Sequence, residues 1–128
     1  MLFRSHPGWS LGRLVGTPLT PLAWVMGVPW SEAPFVAQLL GTKTVLNEFI
    51  AYQMMTSHPA LLSAKSLRIA SFALCGFANF GSLAIVLGGV GGMVPERRSD
   101  LARLGIRSII AGSLATFLTG TIAGLVAP

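Results

Sequence analysis

The chain has 128 residues, of which 52% are hydrophobic and 10% charged, with a mean hydropathy of +0.70. Soluble domains carry about 25% charged residues, so the deficit excludes an ordinary water-soluble domain and points to lipid as solvent. The net charge of +5 comes from nine Lys and Arg spread from Arg4 to Arg107 without a dense basic face, which argues against nucleic acid as a partner.

Residues 1–30 are read as an N-terminal segment that is not expected to be a cleaved signal, because His6, Pro7, Arg13, Pro18 and Pro21 interrupt any compact apolar region. They contain no convincing membrane span and read as the end of a preceding region.

Residues 31–65 are predicted to form a re-entrant helical hairpin. Residues 35–42 are uncharged, Lys43, Asn47 and Glu48 interrupt the pattern, and residues 49–62 resume it. Arms of about 12 to 21 Å cannot cross about 30 Å of hydrocarbon alone. A hairpin is tolerated where protein or a water-filled cavity surrounds its non-helical backbone.

Residues 66–95 are predicted as a discontinuous transmembrane helix. Residues 69–95 carry no charge, but CGFANFGS at 75–82 sets Gly76 and Gly81 around Asn79. An unwound helix uses such residues, since its freed carbonyls and amides can contact a solute. GGVGG at 88–92 is a further flexible or close-packed stretch with no function assigned to it.

Residues 96–107 carry Arg97, Arg98, Arg103 and Arg107 and are expected to form a cytoplasmic basic loop under the positive-inside rule. Residues 108–128 are the last transmembrane helix, where Gly112, Gly120 and Gly124 let neighbouring helices approach. The fold class is therefore all-α integral membrane: a re-entrant hairpin, a discontinuous helix and a final helix, in a multi-pass protein expected in the cell (inner) membrane.

Glu48 is the foremost site candidate, because a carboxylate in an apolar segment costs about 2.5 to 3.5 kcal/mol and persists where it faces a cavity or partner. The bland reading pairs it with Lys43 or wets both in a loop. Asn79 and Ser82 share a helix face and offer an amide and a hydroxyl to a polyol, although interhelical bonding explains them equally well. Tyr52 reads as an interfacial aromatic, Phe77 and Phe80 as packing, and His6 and His58 as loop residues. Cys75 is the lone cysteine, so no internal disulfide or CxxC metal site exists. No Walker A, HExxH or nucleophile elbow occurs, so no enzyme is expected.

The stretches PLAWVMGVPW (21–30), GTKTVLNEFIAY (41–52), ALCGFANFGS (73–82) and PERRSDLARLG (95–105) together resemble the concentrative nucleoside transporter family. The resemblance implies the C-terminal part of a transport domain, one inverted-repeat unit, in a sodium-coupled symporter that is trimeric when complete. It implies that Glu48, Asn79 and Ser82 hydrogen-bond the ribose of a nucleoside, with Phe77 lining the pocket. The resemblance implies that the family's nucleobase contacts and sodium ligands lie mainly on the first hairpin and the helix after it, so the coupling ion's ligands are expected outside this chain, and no cofactor is expected. Residues 1–30 then end a scaffold region, and the chain alone is not expected to transport. The alternative is an inactive fragment or a membrane interaction subunit that needs a separately encoded partner. A channel or antiporter with Glu48 carrying protons fits the lone carboxylate but not the paired NEF and FANFGS motifs.

Overall fold

The computed structural model describes residues 11–126, with side chains from residue 14. Arg4, His6, Pro7 and the side chain of Arg13 lie outside the described residues. Helices α1 (Leu11–Gly16) and α2 (Thr20–Val25) flank a 3₁₀ turn, Thr17–Leu19. Then come α3 (Ala33–Val45), α4 (Glu48–Thr56), α5 (Ala64–Leu74), α6 (Phe80–Met93) and α7 (Arg98–Val126), and every regular element described is helical.

The centre of the fold is α3. Its Pro34 lies in the first turn, where a missing N–H costs nothing. Val36, Ala37, Leu39 and Leu40 are fully buried, as expected of a helix apolar all round its circumference. Gly16 of α1 packs so close to α3 that a Cβ there would lie 2.6 Å from the Ala37 carbonyl oxygen. The chain turns back after α2 through Gly27, whose φ of 99° suits glycine.

The hairpin consists of α3 and α4. Leu46 leaves helical geometry and Asn47 is extended, so the reversal is confined to residues 46–47. The interruption expected from Lys43 onward is shorter, because Lys43 stays within α3 and is buried. Ala51 and Met55 of α4 face the core. Where the hairpin begins, Glu32 Oε2 accepts hydrogen bonds from Ser63 N at 2.9 Å and Ser63 Oγ at 3.0 Å, tying it to the cap of α5. Partial burial pushes the Glu32 carboxyl up, but hydrogen bonds from Ser66 and Ser63 outweigh it and hold the group below its ordinary value.

The helical pair α5 and α6 has 11 and 14 residues, about 16 and 21 Å, with residues 75–79 unwound between them. Neither half spans alone, which is the expected discontinuous helix. The GGVGG stretch lies within α6: a Cβ at Gly91 would touch Arg98, and Gly88, Gly89 and Gly92 meet nothing within 4 Å.

The region 96–107 departs from the expected loop. Only Pro95–Arg97 is a turn, and α7 runs unbroken for 29 residues from Arg98. Asp100 in its first turn suits the helix dipole. That carboxylate also pairs with Arg97 at 2.9 Å and Arg103 at 3.7 Å, both at i,i+3 spacing, so the charges support a helix. About 44 Å of helix exceeds about 30 Å of hydrocarbon, and the charged turns supply the excess. α7 packs on α5 through the glycines expected to allow it: a Cβ at Gly120 would lie 2.7 Å from the Ile69 carbonyl oxygen, and one at Gly124 2.5 Å from Ile69 Cγ1.

Candidate functional site

The two helix breaks meet. Asn47 and Asn79 are both extended and cap the helices that follow: Asn47 Oδ1 accepts from Ile50 N at 3.0 Å, and Asn79 Oδ1 from Ser82 N at 2.7 Å. Capping by Oδ1 fixes the Asn79 amide so that Nδ2 is free to donate, and it donates to Glu48 Oε2 at 3.1 Å. Asn79 is 1% exposed. Glu48 is half-buried in the first turn of α4, where the helix dipole favours a negative charge.

A cavity of about 300 Å³ opens over this pair, lined by Glu48, Phe77, Asn79 and Ser82 together with Asn47 and Phe49. All four residues singled out from the sequence are therefore brought to one place from two segments. Phe77 and Phe49 are largely exposed at its rim. A second cavity of about 310 Å³ lies on the α7 side of the same strip and adds Ser108 and Gly112. The site can accept hydrogen bonds through a carboxylate and exchange them through a hydroxyl, which suits a polyhydroxyl solute. Among the described residues no group of three His, Cys, Asp or Glu could hold a metal.

The far side of the second break was not legible as functional. The last carbonyls of a helix lack intrahelical partners, and here the hairpin supplies them. Tyr52 OH donates to the Ser71 carbonyl, and Lys43 Nζ donates to the Ala73 carbonyl at 2.9 Å and to Thr116 Oγ1 at 3.1 Å. Lys43 thus spends its hydrogen bonds on neutral oxygens rather than on Glu48, and Tyr52 is a cap rather than an interfacial aromatic. A lysine in an apolar arm was itself the available signal.

Residues 1–124 match the family model described as the Na+ dependent nucleoside transporter C-terminus. The chain belongs to this family. The nucleoside permease NupC of Helicobacter pylori is 42% identical over 121 residues, covering 91% of this chain and 29% of the permease. The uncharacterized transporter YutK of Bacillus subtilis is 50% identical over 118 residues, covering 92% of this chain and 29% of that protein. The fold is similar to that of CNTnw in an inward-facing substrate-bound state, with a TM-score of 0.83 at 47% identity over 94% of this chain and 30% of the other. A CNTnw variant in an outward-facing state gives 0.85 at 46% identity, over 94% and 31%. The chain thus spans 29% of the length of these two curated relatives.

Proposed function

We propose that this chain is the C-terminal portion of a sodium-coupled nucleoside transporter and supplies the ribose half of its substrate site. The observation that carries this reading is the Asn79 to Glu48 hydrogen bond of 3.1 Å across two helix breaks, beneath a cavity that Ser82 and Phe77 also line. Glu48 accepts hydrogen bonds from the paired ribose hydroxyls. Such bonds are charge-assisted and stronger than neutral ones. Asn79 and Ser82 complete the polar set, and Phe77 closes its rim.

The same unit resembles CNTnw equally well in the inward- and outward-facing structures, with TM-scores of 0.83 and 0.85. That constancy supports a body carried whole between the two states. The reading extends to a homotrimer in a cell membrane, with the hairpin at 31–65, the discontinuous helix at 66–95, and the arginine-rich start of α7 on the cytoplasmic side. The sodium ion that drives uptake takes its ligands from the rest of the transporter.

The test is a chimera in which this chain replaces the corresponding C-terminal part of the Helicobacter pylori permease. Glu48→Gln keeps the shape and removes the charge, and is expected to weaken uridine binding by about 1.5 to 3 kcal/mol. Unchanged affinity would remove Glu48 from the site.

A further inference from the structure

Lys43 is fully buried at 1% exposure, near the end of α3, and lines neither cavity. Thr116 Oγ1 gives its own hydrogen to the Ser113 carbonyl at 2.9 Å, so toward Lys43 it accepts, as the Ala73 carbonyl does. The Phe117 ring centroid lies 5.9 Å from Nζ, within reach of a cation–π contact. Nζ thus contacts a helix-terminal carbonyl, a hydroxyl oxygen and an aromatic face, with Glu48 and Cys75 acting on its charge from nearby. Oxygen dipoles at the C-terminal ends of interrupted helices are what membrane transporters offer to small cations, and the partial negative charge there favours one.

We propose that these groups form a monovalent-cation site at the junction of α3, α5 and α7, which the Lys43 ammonium occupies as a tethered cation. Its task is to position the second break. Gly76, in that break, packs against Thr116 so closely that a Cβ would lie 2.8 Å from Thr116 Cγ2 and 3.8 Å from Lys43 Nζ. The ammonium pins α3 and α7 to the end of α5, and the break leads from there to Asn79. Lys43 is a positioning residue, since it lines neither cavity.

Truncating it should expose the site to an external ion. Lys43→Ala removes the outer methylenes and the amine, a void that propylammonium matches. In the same chimera, purified in detergent, Lys43→Ala is expected to melt several degrees below the parent. Propylammonium should restore the melting temperature in a saturable way, while the parent and Lys43→Met stay unresponsive. Tetramethylammonium at equal ionic strength, which has no N–H to donate, should restore nothing. A Lys43→Ala protein indifferent to propylammonium, or equally responsive to tetramethylammonium, overturns the proposal. If Lys43→Ala does not accumulate, Lys43→Met keeps the stem without the charge: melting below the parent supports the cation site, and melting with the parent overturns it. No nucleoside enters these measurements, so they stand apart from the ribose assignment.

Discussion

The two helix breaks end in the same residue in nearly the same conformation, Asn47 at φ −165°, ψ 170° and Asn79 at φ −145°, ψ 163°. Each caps the helix that follows. Yet the Asn47 cap is exposed, whereas Asn79 is buried and also donates to Glu48. One asparagine starts a helix, and the other starts a helix and holds the carboxylate that faces the cavity. A residue type and a backbone conformation therefore do not define a role, and the second hydrogen bond does.

Replacing each asparagine by aspartate breaks this comparison most sharply. Aspartate caps as well as asparagine, so Asn47→Asp should change stability by no more than about 0.5 kcal/mol. Asn79→Asp keeps the capping oxygen but sets a second carboxylate where the donor was, against Glu48. It should weaken uridine binding by the chimera by about 2 to 3 kcal/mol, measured by calorimetry. Equal affinities in the two variants would erase the distinction.

Alanine separates the same roles more mildly. Loss of the cap costs about 1 kcal/mol at either position, read from thermal unfolding. At Asn79 the donor to Glu48 is lost as well, adding about 1 to 2 kcal/mol, and only there should nucleoside affinity fall.

The smallest effect lies at the other carboxylate in the hairpin region. Glu32 has a lowered pKa in the folded state, so its stabilisation is present above the unfolded carboxylate value and is lost as pH falls through the folded one. Glu32→Gln should flatten the stability profile in that acidic window and leave uridine affinity unchanged. An unaltered profile would show that the Glu32 to Ser63 tie contributes nothing measurable.

What could be read from the sequence follows from how far each interaction reaches along the chain. Both breaks were legible because polar residues and glycine interrupt apolar runs locally, and Glu48 stood out because a membrane charge is costly. The close approach at Gly120 and Gly124 was legible because the small residues themselves show in the sequence, although their partner Ile69 does not. The role of Lys43 was not, since its acceptors lie 30 and 73 residues away and the nearer Glu48 looked like its partner. The first turns of α7 read as a loop when a run of charges is weighed by polarity rather than by the i,i+3 pairing of Arg97, Asp100 and Arg103.

In the proposed site, the meeting of the two breaks reads ribose hydroxyls through Glu48 and Asn79. The most direct measurement compares uridine with 2′,3′-dideoxyuridine, by competition for labelled uridine uptake, in the parent chimera and in Glu48→Gln. The parent is expected to prefer uridine strongly, and Glu48→Gln to lower uridine affinity while leaving the dideoxy analogue nearly unchanged, so that the preference shrinks. Equal affinity of the parent chimera for the two nucleosides, or a Glu48→Gln loss of the same size for both, would contradict it.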